Sequence, residues 1–373
     1  MKRKIVYIIS QVSHSKLFEW TAGLLSKEKY ELCFILMHKG ESPFESYLRT
    51  NAFTVYRLPY HTKTDIPGCV RKIRSILKKE KAEIVHTHLF EAGLAGMLGA
   101  RLAGIKRRIH TRHDAMIHHD FHPSAVKYDR LTNRLATDVI AITKSVVNIL
   151  HDLEGVPVNK ITLIHHGFRL GEYADVSAER VNAVRDKHLS GKSQGPVIGV
   201  VSRFIEWKGI QYTIDAFRQL LKEFPDAQLL LCNAQGPYEN TLLEQLKALP
   251  ERNYTRVIFE TDMAALYKVM DVFVHVPVDE KAEAFGQVYI EAMAAGVPSV
   301  VTKSGIASDC IRDGEHAICV PFCNSNAITD GLQRLLRDET LRNSIRSNAS
   351  AMVFREFGIE KMITELEAVY DAS

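Results

Sequence analysis

Short runs of β-branched and aliphatic residues, each followed by a helical stretch, constrain this chain more than any other feature. Residues 4–10 (KIVYIIS) read as a strand and 15–25 as the helix after it. Further strands are expected at 30–37, 53–58, 84–87, 106–111, 138–142 and 161–165, with helices at 66–81, 91–103, 124–136 and 144–152 between them. Strands this apolar must be buried on both faces, which a parallel sheet covered by helices achieves. A polar, charged stretch, 171–195, follows. The alternation then restarts, with strands at 196–201, 227–232, 257–259, 272–276 and 297–302. Helices are expected at 209–224, 240–249, 263–270, 287–295, 327–337, 339–352 and 359–370. The sequence therefore predicts an α/β protein of two tandem Rossmann-like, doubly wound domains facing a cleft. The first covers 1–172 and the second 173–355, and 373 residues suit two domains.

Charge supports the division. Residues 1–172 hold 27 basic and 16 acidic side chains, a net +11, whereas the remainder carries −7. A basic half beside an acidic half points to an anionic contact for the first. Six cysteines at irregular spacings form no disulfide framework and read as buried thiols in a reducing compartment. The apolar run at 5–9 is too short for a signal peptide and no segment is long enough for a membrane helix, so a cytoplasmic protein is expected.

In such folds ligands bind at the carboxyl ends of the strands. The most informative stretch there is EAFGQVYIEAMAAG, from Glu283 to Gly296. Gly286 opens a helix whose free N–H groups attract phosphate or sugar oxygens. Glu283 and Glu291 repel phosphate but accept from hydroxyls. Hydroxyls around a diphosphate describe a nucleotide-sugar, while an ordinary amphipathic helix with solvated glutamates accounts for the same residues. Upstream, Arg203 and Lys208 flank the turn before Gly209 and can neutralise a diphosphate leaving group or simply face water. Glu206, between them, can orient Lys208 or face solvent.

In this order and at this separation the two stretches resemble the GT-B glycosyltransferases of the large retaining family 4 (glycosyl transferases group 1). The pattern is a strand, then Arg-x-x-x-x-Lys-Gly, and about 80 residues on Glu-x7-Glu enclosing Phe-Gly. The resemblance implies a metal-independent hexosyltransferase with a nucleotide-diphosphate sugar as substrate and no cofactor. Glu283 would contact the transferred sugar, and the Phe285-Gly286-Gln287 backbone would bind its hydroxyls. Glu291 would hold the ribose, and Arg203 and Lys208 the diphosphate. His113 (TRHD) matches the strand-end histidine beside the anomeric carbon. The region of Asn233, Glu260 and Thr261 would touch the base. The last helix, within 356–373, would cross back to the first domain. Where the family often has Gly-Gly after the first strand, this chain has Gln11-Val12.

Acceptors of such enzymes include glycans and lipid-linked sugars of surface polysaccharides. A nucleotide-sugar epimerase or hydrolase of the same build, or a degenerate nucleotide-sugar-binding subunit, is the alternative. Seven of the 16 histidines fall between His86 and His122, either as a zinc set or as hydrogen-bonded structural residues. Lys106-Arg107-Arg108 and the basic helix from Arg71 to Lys81 form a solvated face or a peripheral contact with an anionic membrane. These segments lack interleaved aromatics, so no nucleic acid partner is expected.

Overall fold

The computed structural model describes residues 2–190 and 194–372. Met1 of the basic start and 191–193 of the polar stretch lie outside the described residues. The chain divides into two compact units: residues up to Phe168 together with those from Ile359 onward, and Arg169–Gly358.

The first unit holds seven strands, β1 (Arg3–Ser10), β2 (Tyr30–Met37), β3 (Thr54–Leu58), β4 (Ile84–His88), β5 (Arg107–Arg112), β6 (Asp138–Ala141) and β7 (Ile161–Leu163). They form one parallel sheet in the order β3-β2-β1-β4-β5-β6-β7. Alternation along the strands assigns the two faces. Val6, Ile8, Cys33, Ile35 and Val85 pack with Ile73 and Leu77 of helix Ile66–Lys79 and the alanines of helix Phe90–Ala103. The latter helix sits so close that a Cβ on Gly96 would lie 2.6 Å from Thr87. Tyr7, His86 and His88 face the other way, lining a cavity with Leu17 and Phe18 of helix Lys16–Leu24 and Met362 and Leu366 of helix Ile359–Asp371.

That last helix is fastened by polar contacts as well as apolar ones. The Tyr370 hydroxyl bonds to that of Tyr7 and lies 2.7 Å from His86 Nδ1, and all three residues are buried. Arg107 donates to the carbonyls of Val369 (2.6 Å) and Ala372 (2.7 Å), capping a helix end that attracts cations. Arg108 caps Ile105 (2.5 Å) and Leu135 (2.8 Å) in the same manner. Of the basic cluster 106–108, only Lys106 is exposed. Tyr370→Phe should leave Tyr7 and His86 short of a partner and cost about 1–3 kcal/mol. Urea denaturation measures it, and an unchanged midpoint would deny the network a stabilising role.

The second unit holds β8 (Val197–Val201), β9 (Gln228–Cys232), β10 (Tyr254–Val257), β11 (Val272–His275), β12 (Ser299–Val301) and β13 (Ile318–Cys319), again parallel, in the order β10-β9-β8-β11-β12-β13. One face carries Ile198, Val200, Leu229, Leu231, Val272 and Val274, and the other Val197, Val201, Leu230 and Phe273.

Several expectations need correction. The stretch 171–195 is largely helical, with helices Gly171–Ala174 and Ala178–Leu189, the latter burying Val184 and Leu189. The helix expected at 124–136 is a 3-10 turn, Pro123–Ala125, running into helix Val126–Leu135. Helices Pro43–Thr50 and Ile117–Phe121 and strand β13 were not anticipated. Cys33, Cys69 and Cys232 are buried, Cys310 and Cys319 partly so, and Cys323 is exposed.

Candidate functional site

In the second unit three backbone loops meet beyond the strand ends. Gly209 has φ +72°, and a Cβ there would lie 1.8 Å from the Val276 carbonyl, so the turn after Lys208 requires glycine. The Val278 N–H donates to the Trp207 carbonyl (3.0 Å), joining this turn to the loop after β11. The loop after β12 clamps the same segment from the other side: Ile306 N–H donates to the Phe285 carbonyl (2.8 Å), and Glu283 N–H to Ser304 Oγ (3.1 Å).

This framework fixes Glu283. Its Oε1 accepts from Lys208 Nζ at 2.5 Å and from His275 Nε2 at 2.8 Å. Burial alone would raise the carboxyl. The His275 N–H and the Lys208 ammonium reverse that effect and hold it at about 2. His275 is itself lowered by burial and donates as a neutral imidazole, with its Nδ1 buried and unpartnered. The sequence reading missed His275. The available signal was a histidine inside an apolar strand, which needs a polar partner when buried. Glu206, by contrast, is exposed and forms no ion pair among the described residues. Glu283 is what orients Lys208.

Next to this cluster, Gly286 (φ +82°) precedes helix Gln287–Ala294. No described residue accepts from the N–H of Gly286 or Gln287. Phe285 is buried against Phe357 and Gln287 is exposed. Glu291, one turn along, is also buried. Its oxygens accept from Tyr173 (3.0 Å), Tyr267 (2.8 Å) and Gln287 (3.3 Å). Arg203 is exposed, and its guanidinium has no partner among the described residues.

The three base-side residues are not alike. Asn233 is exposed at φ +59°, a conformation asparagine tolerates. Glu260 is buried and committed to the fold. It accepts from Lys187 (2.8 Å), His188 (2.7 Å) and the N–H groups of Thr261 and Asp262. Burial would raise its carboxyl, and these donors depress it strongly instead. Thr261 and its neighbour Phe259 are left exposed.

His113 belongs to the first unit, just beyond β5, so it is described apart from the residues above. Burial lowers it to about 4. Its neighbour Arg112 is buried in an ion network with Asp114, Asp129 (2.9 Å) and Glu154 (3.1 Å), which anchors the segment that carries His113. The other histidines of the region, the exposed His122 apart, pair with each other or with hydroxyl and carboxylate groups, as His118 does with Asp129 at 2.6 Å. Among the described residues no three His, Cys, Asp or Glu side chains converge as a metal site would require. Gln11, after β1, has φ +56°, the left-handed conformation a glycine would adopt freely there.

Two parallel doubly wound Rossmann-like units in tandem are the GT-B fold. Residues 184–352 match the family model "Glycosyl transferases group 1", and 21–172 match "Glycosyltransferase Family 4". The chain belongs to this family. It is 28% identical over 313 residues to the capsular polysaccharide biosynthesis glycosyltransferase CapM of Staphylococcus aureus, covering 80% of each chain. It is 26% identical to the N-acetyl-alpha-D-glucosaminyl L-malate synthase of Bacillus anthracis, covering 86% of this chain and 81% of that one. Anabaena Alr3699/HepE, solved in complex with UDP-glucose, superposes with a TM-score of 0.84 at 20% identity over 99% of this chain and 100% of that one. Among the described residues no helix is long and apolar enough to cross a membrane.

Proposed function

We propose that the protein is a retaining, metal-independent hexosyltransferase. It moves a hexose from a nucleotide-diphosphate sugar to a hydroxyl of a glycan or lipid-linked acceptor. The observation that carries this reading is the Lys208–Glu283–His275 cluster, its carboxylate and imidazole buried, beside the N–H groups of Gly286 and Gln287, which have no acceptor among the described residues. Lys208 and Arg203 supply positive charge to the diphosphate, and Glu283 and the helix start receive the sugar. The bond from the anomeric carbon to the diphosphate breaks, and its electron pair leaves with the phosphate oxygen. The acceptor oxygen bonds to the oxocarbenium-like carbon on the same face, and its proton passes to the departing diphosphate. His113 positions the sugar.

A thermal-shift screen of nucleotide-sugars tests the donor, since ligand at 100 times its Kd stabilises by about 2.7 kcal/mol. The Anabaena complex makes UDP-sugars the first to try. Nucleotide release that requires an acceptor supports transfer, and release without one supports hydrolysis. The relative named for a diphosphoundecaprenol acceptor, 23% identical over 98% of this chain, makes lipid-linked sugars the first acceptors. The exposed basic face of Arg71, Lys72, Arg74 and Lys78 is suited to a membrane bearing such lipids. Co-sedimentation with anionic but not neutral vesicles checks that contact.

Glu291→Gln should weaken donor binding, because a ribose contact made in ground and transition states alike shows in KM. Glutamine is preferred to alanine because Glu291→Ala also strands the buried Tyr267 hydroxyl, at about 1–3 kcal/mol. Unchanged donor affinity by calorimetry refutes the ribose role.

A further inference from the structure

His113 lies among packed rings in the first unit. His88 Nδ1 is 3.0 Å from His113 Nε2. Phe18 meets both imidazoles edge-on, at 4.9 Å and 6.1 Å between centroids, and Tyr7 stacks on His88 at 5.3 Å and 11°. Neither ring is free to turn, so one proton occupies the gap between them, and the surroundings of His88 decide which ring owns it. His88 Nε2 is buried and has no hydrogen-bond partner. If His88 accepted at Nδ1, its own proton would sit on Nε2 as a buried N–H with no acceptor, which is rare in folded proteins. If it donates from Nδ1, Nε2 carries only a lone pair. His113 Nε2 then accepts, and the His113 proton resides on Nδ1, which makes no hydrogen bond to a described residue.

We propose that His88 is a positioning residue that locks His113 as its Nδ1–H tautomer, so that His113 presents a fixed N–H donor to an oxygen of the transferred sugar. The inference rests on the reading that His113 touches that sugar. Burial keeps both imidazoles neutral, His113 at about 4 and His88 well below its ordinary value. The donor therefore persists unchanged through neutral pH. The hydrogen bond on one imidazole nitrogen fixes what the other presents.

Long-range proton–nitrogen spectra of 15N-histidine-labelled protein read the tautomer directly, with His113→Gln assigning the signal. The wild type should show His113 protonated at Nδ1. His88→Phe should move that proton to Nε2, the form an unconstrained imidazole prefers. His88→Asn, whose amide N–H replaces Nδ1–H, should keep it on Nδ1. Kinetics should follow: His88→Phe lowers turnover by about 10–100-fold at every pH with little change in KM, and His88→Asn restores most of it. An Nε2–H His113 in the wild type overturns the proposal, as does a tautomer that His88→Phe leaves unmoved. If His88→Phe does not fold, the His88→Asn spectrum decides, and an Nε2 proton there counts against the proposal. The spectra need no substrate. Failure of every nucleotide-sugar to bind would refute the transferase reading and leave the tautomer result standing.

Discussion

Lys208→Ala is expected to lower turnover by on the order of 10²–10³ while changing the affinity for intact donor far less. The diphosphate gains negative charge as the glycosidic bond breaks. A fixed cation beside it therefore stabilises the transition state more than the ground state. Lys208 is held ready by Glu283, a buried carboxylate that is ionised well below neutral pH, so little reorganisation is needed when that charge develops. Arg203 has no such partner among the described residues, so on the proposed reading the ligand itself draws it in. Arg203→Ala should act in the same direction, and the double variant should lose less than the sum, because both neutralise one anion. Steady-state kinetics with calorimetric donor binding separate the two effects. Wild-type turnover in Lys208→Ala would remove the diphosphate clamp.

The second large effect is an acid lability greater in the first unit than in the second. Burial lowers His86, His88, His110, His113 and His166 in that unit, against His275 alone in the second. A histidine kept neutral when folded binds fewer protons than it does unfolded, so stability is full above about 6.5 and falls as the solution is acidified. His110 and His113, at about 3 and about 4, each lose about 2 kcal/mol between pH 6.5 and pH 5. The other three act in the same direction. His118, raised by its bond to Asp129, acts in the opposite one. In the second unit Glu283 is depressed, so its contribution is present above about 4.5 and lost only as pH falls toward 2. The first unit should therefore unfold at a higher pH than the second. The two tryptophans report separately, since Trp20 lies in the first unit and Trp207 in the second. Fluorescence titrations of Trp207→Phe and Trp20→Phe should give distinct midpoints. Coincident midpoints, or the second unit failing first, would contradict the expectation.

Much of this architecture is legible from residue pattern because a strand buried on both faces leaves an unbroken apolar run. Residues 5–9 of β1 and 32–37 of β2 are examples. Elements with one wet face are harder to see. Helix Pro43–Thr50 has few apolar residues, burying Phe44 and Leu48, and its clearest signal is the Ser42 cap with Pro43 behind it. Helix Ala178–Leu189 is masked by charge in the same way. In the candidate site, Lys208, Glu283, Gly286 and Glu291 were singled out by their motif spacing together with the family resemblance. Their supports were not: His275, Tyr173 and Tyr267 reach the carboxylates through tertiary packing. The basic run at 106–108 misled because a sequence does not show that two of its arginines turn inward to cap helix ends.

The final helix gives this chain an order of events during synthesis. The second unit is an insertion between Phe168 and Ile359, and all of its residues leave the ribosome before the last segment of the first unit does. Until then Tyr7 and His86 lack their Tyr370 partner, and the floor of the histidine cavity lacks Met362 and Leu366. The second unit can close as soon as Gly358 emerges, whereas the first must wait for helix Ile359–Asp371 to follow. A chain ending at Gly358 would release a finished second unit tethered to an unfinished first, a species fit for degradation rather than for catalysis.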